Sequence, residues 1–548
     1  MKKIEEKYKV LDHISHVLLR PGTYVGSNKP HTGPKWIFDS ETQKMVKTEV
    51  TYIPSFLKIF DEIVTNSFDE HKRTPSLNKI EINVNRETGE ISVRDNGGIP
   101  VILHKEHNQY VPEVIFGNLM AGSSYDDTEE RIVAGTNGLG AKLTIIFSKK
   151  FELSTCDGKN HFYQEYSNNM RDRTKAIIKR STKNHTEVKY SPDFEKFGMT
   201  GLDDDHYRMI QKRVIDLSGC NPNCKVFFNG EPINIKSFED YIKFYKEEFF
   251  FESNKEKTWT IGISSSDDGF QQVSFANSTD TYDGGTHVDY ILNQILSQLR
   301  EFFQKKHKVD VKPSELKNHI FLFLNATIVN PSFGSQTKEK LITEVKDFGF
   351  TYEVTDKLIK SILKSEIVNS ILDWIQQKKN ADENKLAREL NKTLSKVKVD
   401  KLIDAKAKDR WKCSLSIFEG DSASSAFRKY RDSQYQGAFS LRGKFVNVSD
   451  IPTNKLLSKR ANGDYVYKEV VDLMGALGLK LGQKVVPGTL RYGRILFYCD
   501  ADHDGSSIVG LLINFLYKFW PELFDNPMVF KADTPIVVST NLKKKSNK

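Results

Sequence analysis

The sequence predicts a multidomain chain of mixed class, α+β over its first part and α/β toward its end, in blocks 1–236, 237–400 and 401–548. Three observations carry this. The 548 residues are enough for three or four domains of ordinary size. Alternating strand patterns and helical periods share the first block with most of the Gly-rich turns. In the last block, two short apolar strands each run directly into carboxylates.

With 38% hydrophobic and 28% charged residues the chain reads as folded and globular. Its longest apolar stretch, Ile508 to Trp520, contains Asn514 and Lys518 and is too short to span a bilayer, so a buried core helix is expected there and no membrane partner. The start, Met1-Lys2-Lys3-Ile4-Glu5-Glu6, lacks the apolar run of a signal peptide. Five cysteines, an odd count, suit a reducing compartment, and the expected location is cytoplasmic. Cys220 and Cys224 have no second pair to complete a zinc site. The net charge of +9 is modest, but Lys378 to Lys412 holds twelve Lys or Arg against six Asp or Glu. Such a segment is either a solvated helix face and linker or a surface that tracks DNA phosphates.

In the first block, Phe56 to Asp69 has a helical period, with Phe56, Phe60, Ile63 and Val64 as its apolar stripe. Glu62, Asn66 and Asp69 share another face, where a carboxylate and an amide can serve as base and metal ligand. Ile80–Val84 and Glu90–Arg94 alternate as strands, and the second runs into the turn Asp95-Asn96-Gly97-Gly98-Ile99-Pro100. Gly135-Thr136-Asn137-Gly138-Leu139-Gly140-Ala141-Lys142 then leads into an apolar helix. Its glycines let backbone amides approach phosphate, and its lysine adds a full positive charge. The spacing is not that of a P-loop.

In this order, Glu-x3-Asn, the Asp turn and Gly-x-Asn-Gly-x-Gly-Ala-Lys resemble the Bergerat-type (GHKL) ATPase fold of gyrase, Hsp90, MutL and histidine kinases. Arg20-Pro21-Gly22-Thr23-Tyr24-Val25-Gly26-Ser27, Tyr110 to Leu119 and Ser123 to Asp127 resemble the eukaryotic-style type II DNA topoisomerases in particular. The resemblance implies that Glu62 activates the attacking water, Asn66 helps hold magnesium and Asp95 reads the adenine amino group. It also implies that Ser123 and Ser124 lie along the ribose and phosphates, and that Asn137, Gly138, Leu139, Gly140, Ala141 and Lys142 cradle the triphosphate of ATP. The family carries one more residue between the Asp and Gly-Ile-Pro, and an ungapped reading puts Arg94 in the place of the adenine ligand. Thr136 and Leu139 stand where eukaryotic members carry Arg and Tyr.

In the second block, Ile320 to Leu324 reads as a strand and Thr355 to Gln377 as helical. Phe270 to Phe275 and Gly284 to Asp289 resemble the start of the topoisomerase transducer domain, and Asn330 to Lys338 its nucleotide-sensing loop. By that resemblance Gln336 and Lys338 reach the ATP site and contact the terminal phosphate, Lys338 with a catalytic part. A lysine that touches only the γ-phosphate would make domain position depend on hydrolysis.

The third block has strands at Ser414–Phe418 and Ile495–Cys499, ending at Glu419-Gly420-Asp421-Ser422-Ala423 and Asp500-Ala501-Asp502-His503-Asp504-Gly505. A helix follows from Ser506 to Phe519. Sites in open α/β sheets form outside the carboxyl ends of strands, and grouped carboxylates there call for a hard divalent cation. A calcium EF-hand is rejected because position twelve, which needs Glu, is Leu511. The pair of motifs resembles the TOPRIM domain of topoisomerases and primases, and Phe439 to Val448 matches type II enzymes. By resemblance Glu419, Asp500 and Asp502 hold the cleavage-site Mg2+, and Asp504 can join a second ion.

The implied enzyme is an ATP-hydrolysing type II DNA topoisomerase that captures one double-stranded DNA segment, closing as a homodimer through its ATPase domains. It passes that segment through a break in another. An ATP-driven DNA clamp without cleavage is the alternative, opposed by the full carboxylate set. After Asp504 the remaining tyrosine is Tyr517, expected in the core of an apolar helix. The cleavage tyrosine is therefore expected on a second subunit with a winged-helix domain or on a missing carboxyl-terminal region. Such a split resembles enzymes of large DNA bacteriophages, which would place the protein in a bacterial host's cytoplasm.

Overall fold

The structure is a computed structural model that describes residues 10–122, 130–133, 135, 138–394, 399–452, 455, 458–486, 488–500 and 502–532, with backbone alone at 382–384 and 386–394. It divides into two compact units, residues 1–371 and 372–548.

Two large sheets carry the first unit, beside two small two-stranded ones. Along the larger, of nine strands among the described residues, run Ile177–Arg180, Asn160–Ser167, Ser148–Cys156, His185–Pro192, Ile91–Asp95, Lys79–Val84, Lys225–Phe228 and Glu231–Pro232. Asp172–Arg173 pairs with Asn160–Ser167. Helix α1, Pro54–Arg73, starts with proline at its first position, where the missing N–H costs nothing, and buries Phe56, Ile59, Phe60, Ile63, Val64 and Phe68. Each such side chain contributes about 1.5–3 kcal/mol relative to exposure. Helix α2, Gly140–Ile146, and helix α3, Asp204–Cys220, complete the layer. The core they share with the sheet includes Ile80, Ile82, Val93, Leu143, Phe151 and Leu217.

The smaller sheet has the order Phe250–Ser253, Trp259–Ser265, Ile320–Ala326, Gln271–Ala276, Thr279–Asp280. Its central strand is apolar on both faces because it is covered on both: Ile320, Phe321, Leu322, Phe323 and Leu324 are all buried. It pairs antiparallel with Trp259–Ser265 and parallel with Gln271–Ala276. Helix α4, Thr286–Phe302, makes the crossover. The helical stretch expected from Thr355 is two helices, Asp356–Ile362 and α5, Glu366–Leu394. Thr355 caps the former by accepting the Leu358 N–H at 3.3 Å.

The second unit carries a five-stranded sheet in the order Leu402–Ile403, Gln436–Ser440, Ser414–Phe418, Arg494–Tyr498, Val529–Lys531. Its four longer strands are parallel. Helices α6, Asp421–Tyr430, α7, Lys468–Leu477, and α8, His503–Phe519, accompany it. Helix α8 is not buried all round. Ile508, Val509, Leu512, Phe515 and Leu516 form its core face, whereas Tyr517, expected in the core, is 61% exposed. The polar residues in the run fall at helical spacing, so the stretch is amphipathic. No described helix is long and apolar enough to cross a membrane.

Candidate nucleotide and metal sites

Helix α1 turns its polar face onto a cavity of about 320 Å³ in the first unit. Glu62, Asn66, Asp69, Asp95, Gly138, Leu139, Gly140, Ala141, Lys142, Gln336 and Lys338 all line it. Apart from Asp69, which was expected only on the helix face shared with Glu62 and Asn66, these are residues expected at a nucleotide site, and one space gathers them. Ser123, Ser124 and Asn137 lie outside the described residues, as does Thr136.

Glu62 is 8% exposed, and Lys58, one turn earlier, places its ammonium 2.8 Å from Oε1. The contact is a close ion pair, within charge-assisted hydrogen-bond distance, on a buried carboxylate. Burial pushes the Glu62 carboxyl up, but Lys58 and Lys338 outweigh it and hold it below its ordinary value. Glu62 is therefore held in its ionised form. Helix α2 approaches so closely that a Cβ on Gly140 would lie 2.0 Å from Glu62 Oε2, which explains glycine at that point of the loop.

Asp95 ends the strand Ile91–Asp95 and is 7% exposed. It accepts the Ser67 hydroxyl at 2.8 Å and the Gly97 N–H at 3.0 Å. Arg94 points the other way, pairing with Glu187 at 2.9 Å, because successive strand residues face opposite sides. Asp95, not Arg94, therefore presents its carboxylate to the cavity. Lys142 donates to the carbonyls of Ala121 at 2.5 Å and Gly138 at 2.6 Å, and burial pushes its ammonium down to about 8. Lys338 enters from the loop beyond Ile320–Ala326, 9% exposed and with φ +63°. The same loop is tied to the segment 130–133 by the Asn330 N–H on the Arg131 carbonyl at 2.8 Å.

In the second unit, Glu419 follows the end of Ser414–Phe418, and Asp500 and Asp502 follow the end of its parallel neighbour Arg494–Tyr498. Asp502 caps α8, accepting the Gly505 N–H at 2.7 Å. Glu419 Oε2 is buried without a hydrogen-bond partner. The Cys499 thiol is pushed up to about 11 by burial and then by the Glu419, Asp500 and Asp502 carboxylates, so all three act on one point. An orphaned buried oxygen in an all-carboxylate set fits a hard divalent cation. The set is open. Among the described residues, the only triad of His, Cys, Asp or Glu with ligand atoms within 4.8 Å of one another is His104, Glu106 and His107, elsewhere in the chain.

The sequence had not pointed to Lys58, Ser67 or Arg213. Lys58 carried a signal, its spacing of four residues before Glu62. Arg213, bound to Asp61 from 152 residues away, carried none.

The DNA gyrase B family model matches residues 231–390 and the Toprim domain model residues 414–532. Over 98% of this chain, DNA topoisomerase 2 of Arabidopsis thaliana is 39% identical and that of Pisum sativum is 38% identical over the same share. The chain spans 37% of the length of each of these relatives. The ATPase region of Saccharomyces cerevisiae topoisomerase II is similar at TM-score 0.64 and 38% identity, over 67% of this chain and 99% of that one. The ATPase and transducer domains of the Balamuthia mandrillaris enzyme give TM-score 0.67 and 38% identity, over 69% of this chain and 100% of that one. Fold and comparisons together define a GHKL-type ATPase with a transducer region and a Toprim domain. The chain belongs to the type II DNA topoisomerase family, and its matches fall in that family's ATPase, transducer and Toprim portion.

Proposed function

We propose that this chain is the ATP-hydrolysing and Mg2+-holding part of a type II topoisomerase that drives one DNA duplex through a double-strand break in another. The observation that carries the reading is the convergence of Glu62, Lys142 and Lys338 on one cavity. Glu62 takes a proton from water as its oxygen attacks the γ-phosphorus, and the bond to the ADP oxygen breaks with its electron pair leaving on ADP. Lys142 and Lys338 face the charge that develops on the phosphate oxygens. Asp95, buried and oriented by Ser67, accepts a hydrogen bond from the adenine amino group. Asn66 offers its amide oxygen toward the triphosphate. Magnesium, when bound there and at Glu419, Asp500, Asp502 and Asp504, supplies Lewis-acid neutralisation of phosphate charge.

Double-stranded DNA is the substrate, and a homodimer closes through the ATPase region when ATP binds. The nucleophilic tyrosine comes from a winged-helix region outside these residues or from a second subunit. Domains at 1–236, 237–400 and 401–548 suit this division of labour. The direct test is Glu62→Ala, which should retain binding of a non-hydrolysable ATP analogue while turnover falls about 10²–10⁴-fold. Near-normal turnover in that variant would end the assignment.

A further inference from the structure

Beside Glu62, on the same face of α1, lies a largely buried chain of alternating charges. Lys58 Nζ stands 2.8 Å from Glu62 and 3.3 Å from Asp61 Oδ2. Asp61 Oδ1 accepts Arg213 Nε at 2.6 Å and the Thr65 hydroxyl at 3.2 Å. Arg213, on α3, donates through Nη2 to the carbonyl of Ser278 at 3.0 Å. Asn277 and Ser278 form the hairpin turn between Gln271–Ala276 and Thr279–Asp280, both with positive φ. That turn is pinned to the exit of the central strand, because Asn277 exchanges two side-chain hydrogen bonds with Ile328, each 2.8 Å. The chain leaving Ile328 is the one that delivers Lys338 to Glu62.

We propose that Asp61 and Arg213 are positioning residues for hydrolysis, holding Lys58 against Glu62 and anchoring it on the Asn277–Ser278 turn of the second sheet. The proposal rests on Glu62 as the base. Lys58 is shared between two carboxylates, and Arg213 decides the share. While Arg213 occupies Asp61, Lys58 can serve Glu62. If the turn carries Ser278 and Arg213 away, Asp61 competes for Lys58 and the base is disarmed. The transducer region thereby reaches the catalytic carboxylate by two routes, directly through Lys338 and indirectly through Arg213 and Asp61.

The charged groups that act on Glu62 are Lys58 and Asp61 from its own helix and Lys338 from the loop, while α2 brings Gly140 against it and Lys142 to the same cavity, which Asp69 also lines. Asp61 in turn faces Arg213, Lys58 and Lys338. Two substitutions should therefore have effects of opposite sign. In Arg213→Gln, the freed Asp61 draws Lys58 away, Glu62 binds its proton more tightly, and the acid limb of kcat moves to higher pH. In Asp61→Asn, Lys58 is left to Glu62 alone and the limb moves to lower pH.

The experiment measures kcat against pH and binding of a non-hydrolysable ATP analogue in the full chain for both variants, for Arg213→Lys and for the double variant. Arg213→Gln should lower kcat at neutral pH about tenfold to a hundredfold, with analogue affinity within about twofold. Arg213→Lys should recover most of the rate, and adding Asp61→Asn to Arg213→Gln should reverse the shift of the limb. Limbs that move the same way in both single variants, or an unchanged kcat in folded Arg213→Gln, would overturn the relay. So would a loss of analogue affinity as large as the loss of rate. If Arg213→Gln does not fold, the direction of the limb in Asp61→Asn decides alone. Glu62→Ala run alongside separates the two readings. Normal turnover there removes the base, whereas abolished turnover with unmoved relay variants removes only the relay.

Discussion

At the scale of single residues, the nucleotide cavity is organised by what burial does to charge. Among the described residues Lys142 has no carboxylate partner and donates to two carbonyls, and burial pushes its ammonium down to about 8. Triphosphate charge at the same place would raise that value. Binding then takes up a proton whenever the free protein has released one, and the sign follows. The Kd of a non-hydrolysable ATP analogue should be flat below pH 8 and rise above it, approaching about tenfold per pH unit. Calorimetry in buffers of different ionisation enthalpy should show the proton uptake, and Lys142→Met should abolish the pH dependence along with much of the affinity. A Kd constant from pH 7 to 9.5 would show that Lys142 does not meet the phosphates. What was legible here depended on distance along the chain. Helical spacing put Glu62 and Asn66 on one face and a turn marked Asp95, but their nucleotide roles came only from the family resemblance, and the choice between Asp95 and Arg94 needed the strand's alternation. Ser67 on Asp95 and Arg213 on Asp61 are tertiary pairings that no local pattern encodes.

At the scale of elements, the strong periodicities marked helices and strands to within a few residues, as in α1 and in the strands that end at Asp95, Phe418 and Tyr498. Helix α8 is where the reading failed in part. An apolar composition suggested burial all round, yet Ile513 and Tyr517 are 38% and 61% exposed, because composition had been weighed above period. The same helix offers a paired test of its geometry. A Cβ at Gly505 would lie 2.3 Å from the Asp500 carbonyl oxygen, since the first turn of α8 packs on the backbone that carries the carboxylates. Gly510, in the same helix, meets nothing within 4 Å. Gly505→Ala should destabilise the second unit and displace Asp500, whereas Gly510→Ala should stabilise it by about 0.5–1 kcal/mol through helix propensity. Denaturant melts of the two variants should therefore move in opposite directions. A Gly505→Ala protein as stable as the parent would mean that α8 does not sit this tightly on Asp500.

At the scale of the whole molecule, the proposed reaction divides into ATP-driven closure and DNA cleavage, and the chain should perform only the first by itself. A non-hydrolysable analogue should double the mass in solution, and Lys338→Ala should still bind ATP but hydrolyse it poorly, because Lys338 reaches the cavity from the second sheet's loop. An unchanged mass would remove the closing gate. For cleavage, a tyrosine must stand at the carboxylate set. Tyr517 is exposed and so could in principle react, but it lies fifteen residues beyond Asp502 on the same rigid helix. At about 1.5 Å per residue the separation along the axis is on the order of 20 Å, far outside contact with a phosphate held at Glu419, Asp500 and Asp502. Its ring instead packs edge-on against Phe524 at 5.7 Å. The purified chain should therefore hydrolyse ATP yet trap no covalent DNA adduct on denaturation, and adducts should appear when a winged-helix partner bearing the tyrosine is added. Their yield should then fall with Asp500→Ala and stay unchanged with Tyr517→Phe. An adduct formed by this chain alone and abolished by Tyr517→Phe would overturn the division and place the nucleophile on α8.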